Sequence, residues 1–340
     1  MDLREWHMYS DLYKKAQELY GQGIFGLYDM GSVMAVRIPH DGDIHYCVIE
    51  DSSIFIYEGA RGFESWVDLL DQDDETGDLA ALEKEYMRYG YSIDFIPNDE
   101  ATAKQMEEAA DTGILPADIF PTFNKHLELC MPLQLSFTEK TARLIATVLD
   151  AFAYAVQNKL CIDCDEDQLK CLTPSGGSFS VSSIQIPEEF NRFPSPRLQG
   201  KSQNLFLHAK KLKSTDWDLH MFIIPDANIY AEKLGIRKFP IAYVLIEEGD
   251  ATVLCSGFVI DFSNDYHKIL DDVLHQIEQR GLPSSLNVTS DRAYCLFSEL
   301  CDQLDIELSQ YSTLDDAFEL EDQFLDDFNK GSYRFPDQLS

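Results

Sequence analysis

Three cysteines hold the most concentrated reactive chemistry in the chain: Cys161-Ile162-Asp163-Cys164, followed by Cys171. A Cys-x-x-Cys pair with a further thiol could hold zinc or exchange disulfides. Structural zinc takes four ligands, usually as two separated pairs. Here one pair and one single thiol stand with no histidine after them until His208. A redox pair should open a helix in a βαβ unit and carry a lowered thiolate pKa. The Asp165-Glu166-Asp167 after Cys164 would raise it instead. No metal and no cofactor is therefore expected, and Cys161, Cys164 and Cys171 stand as the weak metal candidates. Most of the other cysteines lie in apolar runs and read as small core residues, reduced in a reducing compartment.

Two further stretches imitate binding loops. Gly21-Gln22-Gly23-Ile24-Phe25-Gly26 spells GxGxxG. A dinucleotide loop must follow a strand and open a helix, so that the helix N-terminus meets the pyrophosphate. This one follows a helical pattern and precedes strands, so its glycines read as a helix end and a turn. Asp71 to Asp78 resembles a calcium loop, but an EF-hand needs Gly at its sixth position and Glu at its twelfth. Those positions hold Thr76 and Leu82.

Charge is laid out unevenly. Lys and Arg number 27 against 60 Asp and Glu, a formal net charge of −33. Such a field opposes nucleic acid and anionic membrane, so a protein is the expected partner if there is one. Phe190 to Thr215 nevertheless carries Arg192, Arg197, Lys201, Lys210, Lys211 and Lys213 and no acid. Lys210, Lys211 and Lys213 are the binding candidates. The plainer reading is that they pair with acidic faces, since charge runs are usually solvated or internally paired. Ala293 to Asn329 holds the opposite run, rich in acids and free of Lys and Arg.

The elements that must position these residues fall into two sets. No run of ~18 apolar residues exists, so no span of a membrane is expected, and Met1 to His7 lacks the apolar segment of a secretory signal. A cytoplasmic protein of two domains is expected from 340 residues. In the first set, Val33–Ile38, Ile44–Ile49 and Ile54–Tyr57 read as an antiparallel meander. Helices flank it, the longest opening on a capping box at Ser136 to Glu139. Gly59 and Gly62 read as breaks before a helix. The sequence divides into an α+β domain over 1–158, a linker with the basic stretch over 159–215, and an α/β domain over 216–330.

In the last of these, Ile241–Ile246 and Thr252–Ile260 form a hairpin around Glu247-Glu248-Gly249-Asp250. A helix ending at Arg280-Gly281-Leu282-Pro283, a strand at Leu286–Val288, a helix from Ser290-Asp291, a strand at Ile306–Leu308 and a last helix capped by Thr313 follow. With Leu219–Ile224 as a first strand, the order resembles the RNase H-like fold, a likeness of topology and not of motif. That resemblance implies carboxylates on the first strand and at the end of the fourth, holding two metals. Asp291 meets the fourth-strand requirement. The first strand as read has no internal acid, Asp226 lies just past it and Glu247 ends the next strand. Asp291, Asp226 and Glu247 are thus the catalytic candidates, while Asp291 equally suits a helix start facing the macrodipole.

Residues 1 to about 155 are similar to an uncharacterised bacterial domain family, within ordinary domain size. The matching parts are Trp6, Leu12-Tyr13-Lys14-Lys15-Ala16, Tyr57-Glu58-Gly59-Ala60-Arg61-Gly62-Phe63, and Pro121-Thr122-Phe123 before Pro132. The C-terminal stretch resembles a second uncharacterised family often fused to the first, through its hairpin, Arg280-Gly281-Leu282-Pro283 and Leu304-Asp305-Ile306. Neither resemblance implies an activity. Two functions stay open: a non-catalytic interaction or scaffold protein, and a metal-dependent nuclease or decayed relative of one.

Overall fold

A computed structural model describes residues 3–39, 42–70, 78–97, 99, 119–135, 137–162, 167–188, 190–200, 215–225, 229–231, 236–249 and 251–330. Helices and strands are mixed in it, in two compact units. The first comprises Met1–Asp71, Tyr86–Glu128 and Pro132–Phe190, the second Gln72–Glu85, Leu129–Met131 and Asn191–Ser340.

The first unit is built on an eight-stranded sheet. Its strands are β1 (Val33–Arg37), β2 (Ile44–Ile49), β3 (Ser53–Glu58), β4 (Gly90–Pro97), β5 (Ile119–His126), β6 (Leu133–Gln134), β7 (Gln168–Ser175) and β8 (Ser178–Gln185). They run in the order β6-β5-β4-β3-β2-β1-β7-β8. Every pairing is antiparallel except β1 with β7, where Ala35 meets Cys171 and Val36 meets Leu172. The helices are α1 (Leu3–Gly21), α2 (Ile24–Leu27), α3 (Gly59–Leu70) and α5 (Glu139–Asn158). Alternation along the strands sends Met34, Val36, Cys47, Ile49, Ile54, Ile56, Ile93 and Phe120 to one face, against Leu12, Ala16 and Leu19 of α1 and Ile145, Val148 and Phe152 of α5. The other face packs Ala35, Val48, Phe55, Tyr57 and Cys171 against Phe63, Trp66 and Val67 of α3.

Three readings of this unit are corrected. Residues 168–185 fall in the stretch read as a linker, yet they supply β7 and β8. Their signal was Gly176-Gly177 between two strand-length runs. Both residues take positive φ, 57° and 83°, as a two-residue hairpin turn demands. Gly59 and Gly62 open α3 instead of breaking the chain before it. Gly62 is required by a close approach, because a Cβ there would lie 2.7 Å from the Tyr89 carbonyl oxygen. The capping box of α5 is formed by Thr138, whose hydroxyl accepts from the Thr141 N–H while Thr141 Oγ1 accepts from the Thr138 N–H.

In the second unit, β9 (Asp216–Ile223), β12 (Ile241–Glu247), β13 (Thr252–Val259), β14 (Ser285–Val288) and β15 (Glu307–Gln310) form a sheet in the order β13-β12-β9-β14-β15. β12 runs antiparallel to both its neighbours. β14 runs parallel to β9 and β15. A separate ribbon pairs β10 (Ile229–Ala231) with β11 (Ile236–Lys238). The helices are α4 (Asp78–Tyr86), α6 (Phe262–Arg280), α7 (Asp291–Leu304) and α8 (Asp315–Asn329). Parallel pairing of β9, β14 and β15 demands crossovers, which α6 and α7 supply. Phe222, Ala242, Val244 and Ile246 face Ala317 and Phe324 of α8, with Leu79 of α4 at the margin. The last helix begins without the expected Thr313 cap: Leu314 holds the N-cap position and makes no side-chain bond there.

Candidate functional site

β9 begins at Asp216, three residues before the expected start, and this changes the chemistry of the first strand. Its sequence, Asp216-Trp217-Asp218-Leu219-His220-Met221-Phe222-Ile223, alternates at period two. Asp218, His220 and Phe222 share one face of the sheet, while Trp217, Leu219 and Met221 point to the other. The expectation of a first strand without an internal acid is thus corrected. Asp is a poor strand former in isolation, so reading only the apolar run set the start at Leu219. The alternation was the missed signal.

Asp218 and His220 are 6 % and 4 % exposed. Buried polar groups of this kind must find partners or destabilise the fold, and both have them. Asp218 stands beside Asn287 in the parallel register of β9 and β14, and Asn287 Nδ2 donates to Asp218 Oδ1 at 2.8 Å. His220 Nδ1 lies 2.6 Å from Thr289 Oγ1, and its Nε2 meets the buried carboxylate of Glu321 on α8. The imidazole is further stacked on Phe222, with ring centroids 5.0 Å apart, and lies against Phe318 at 4.7 Å. β9, the residue that follows β14 and α8 therefore converge on one polar chain: Thr289, His220 and Glu321, with Asp218 and Asn287 beside it.

Further carboxylates gather where β9 begins. Burial raises the Asp218 pKa, Asn287 works against this, and Asp316 and Asp216 raise it further. Glu248 is also raised, first by desolvation and then by Asp218 and Asp216. Among the described residues, no group of three or more His, Cys, Asp or Glu is arranged to hold a metal ion.

Of the residues singled out from sequence, the described ones, Asp291, Glu247, Cys161 and Cys171, take no part in this polar chain. Asp291 is the first residue of α7, exposed, and accepts from Gln310 Nε2 at 2.7 Å. Ser290 caps that helix by accepting from the Ala293 N–H at 3.3 Å. Glu247 ends β12 in register with Trp217, on the face opposite Asp218, and pairs with Arg280 at 3.3 Å. Asp226 lies outside the described residues, as do Cys164, Lys210, Lys211 and Lys213. Cys161 is exposed, whereas Cys171 is buried in β7.

A second polar chain lies in the first unit, on the β3-β4-β5 part of the sheet. Asp94 accepts from Ser53 and Ser92 at 2.8 Å each and from Asn124 Nδ2 at 2.6 Å. His126 Nε2 is 3.0 Å from Ser92 Oγ. With the Ser92 proton directed to Asp94, His126 donates through Nε2 and is held neutral. This order, His to Ser to Asp, is not a nucleophile relay, because the serine proton is committed to the carboxylate and not to the imidazole. Nearby, Arg88 pairs with Glu50 through both Nη atoms, at 3.0 and 2.9 Å, and lies over the Phe55 ring.

Comparison with known proteins adds one family and no activity. Residues 207–325 match a family model described as Domain of unknown function (DUF6930). No curated protein matches. Among solved structures, the chain is similar to one from "CryoEM structure of simian T-cell lymphotropic virus intasome in complex with PP2A regulatory subunit B56 gamma", at 13 % identity over 42 % of this chain. The match spans about half of that chain, 49 %, and at a TM-score of 0.26 it carries no fold assignment.

Proposed function

We propose that this is a non-catalytic interaction protein whose C-terminal unit is an RNase H-like domain with its reactive position converted to a structural polar chain. The strand order supports the fold reading. Counting β9, β12, β13, β14 and β15 as strands one to five, the sheet runs 3-2-1-4-5, with strand two antiparallel to its neighbours and strand four parallel to strand one. The observation that carries the functional reading is the commitment of the polar groups at that position. Asp218 accepts from the amide of Asn287, and His220 has both ring nitrogens engaged. Two-metal phosphoryl chemistry needs carboxylates facing one another across a shared cation. Fold likeness alone licenses no activity.

One observation favours the second reading, a metal-dependent nuclease: Asp218 on strand one lies close enough to Asp316 of the last helix to be affected by its charge. The test is direct. The full chain is incubated with Mg²⁺ or Mn²⁺ and single-stranded, duplex and hybrid nucleic acids. No cleavage is expected. Cleavage that disappears in Asp218→Asn would replace the first reading with the second.

A further inference from the structure

Sheet edges are where a folded chain can still pair its backbone, and proteins blunt them with short strands, charges, prolines or bulges. Among the described residues, three of the four edges of the two large sheets follow that rule. β6 is two residues long. β15 has four residues and opens on Glu307. β13 is eight residues long, but its register with β12 shifts between Leu245 and Ile246.

The fourth edge, β8, departs from it. β8 has eight residues, Ser178-Phe179-Ser180-Val181-Ser182-Ser183-Ile184-Gln185, in unbroken register with β7 from Gln185 opposite Gln168 to Ser178 opposite Ser175. It has a strand neighbour on one side alone among the described residues, and most of it is exposed, with Val181 at 42 %. The hydroxyls of Ser180 and Ser182 donate inward to the Thr173 and Cys171 carbonyls of β7. They do not occupy the outer backbone groups. Residues 171–187 contain no Asp, Glu, Lys or Arg and form the longest such stretch in the chain.

We propose that β8 joins a second copy of this chain, edge to edge and antiparallel, continuing the first sheet across a twofold axis. The inference names a partner for the interaction reading and rests on it. Charge selects the second copy. A twofold interface sets each patch against itself, so an edge carrying charge of one sign would meet its own sign, and like charges directly opposite destabilise a strand pair. In a chain of net charge −33, an uncharged edge is what two copies can share. A basic partner peptide would instead select an edge bearing acids. In a twofold antiparallel pair, residues that meet share a face of the sheet. Centring the axis on Val181 sets its exposed side chain against its own copy, Ser180 opposite Ser182, and Phe179 opposite Ser183.

An eight-residue edge is a small interface, and association in the micromolar range is expected. The repulsion between two acidic copies is screened by salt, so dimerisation should strengthen as salt rises, the reverse of a salt-bridged contact. The test is sedimentation equilibrium of the full chain across the micromolar range at low and high salt. Wild type, Val181→Lys and Val181→Thr are compared, and circular dichroism establishes that each is folded. The expected result is a dimer favoured by salt, retained by Val181→Thr and weakened at least tenfold by Val181→Lys. A wild type that stays monomeric throughout would overturn the proposal, as would a dimer indifferent to Val181→Lys. A monomer that captures an unrelated strand peptide at β8 would overturn the choice of occupant. None of these results bears on the cleavage assay with Asp218→Asn, so failure of the edge and failure of the non-catalytic reading are told apart.

Discussion

His126 should make the first unit sensitive to acid, and the size of the effect follows from its surroundings. The ring packs with its centroid 4.6 Å from that of Phe55, and its Nε2 lies against Ser92, whose hydroxyl donates to Asp94. Burial lowers the pKa from 6.5 to about 4; the Asp94 carboxylate works against this and the Arg88 guanidinium adds to it. A folded-state pKa below the unfolded value means that the native state resists protonation. The stabilisation is therefore complete above 6.5 and is lost as pH falls towards 4. At about 1.4 kcal/mol for each pH interval of one, the full effect is about 3 kcal/mol, a large share of the stability of an ordinary domain. Urea unfolding between neutral pH and about pH 4 should show this loss in wild type. In His126→Gln, whose amide can still donate to Ser92, the loss should be smaller by about 3 kcal/mol at the acid end. An imidazole that titrates near its ordinary value by NMR, or two coincident stability curves, would refute the reasoning.

Gly90→Ala should unfold the first unit or cost more than about 4 kcal/mol. Gly90 has a φ of 155°, and a Cβ there would lie 2.1 Å from the Ile56 carbonyl oxygen; Gly21→Ala, where a Cβ meets nothing within 4 Å, is the matched control in thermal melts. Asp218→Asn should raise the thermal midpoint at neutral pH. The raised Asp218 pKa means its charge opposes folding above that value, and the Asn oxygen can still accept from Asn287; a lowered midpoint would mean the carboxylate is a net stabiliser.

Local patterning carried the apolar elements well and the buried polar ones poorly, for a physical reason. An amphipathic helix such as α5 or α7 advertises its buried face within its own residues. The strands of the meander and the hairpin of β12 and β13 do the same through alternation and turns. By contrast, whether Asp218, His220, Ser92 or Asp94 is buried depends on partners far away in sequence. His220 is held by Thr289 and Glu321, and Asp94 by Ser53 and Asn124. Read alone, each such residue looks like surface or a strand end. The parallel pairing of β1 with β7 joins Ala35 to Cys171, and nothing local to either strand announces it. The polar chain around His220 is the part of the site that sequence could have offered, since the Asp-x-Asp-x-His alternation from Asp216 to His220 is visible. Its meaning required the register that sets Asn287 beside Asp218 and the helix that brings Glu321 over the sheet. Those contacts engage both ring nitrogens of His220 but one oxygen of Asp218, so the imidazole is the group whose bonding capacity is spent on the fold, and the proposed non-catalytic reading rests on it.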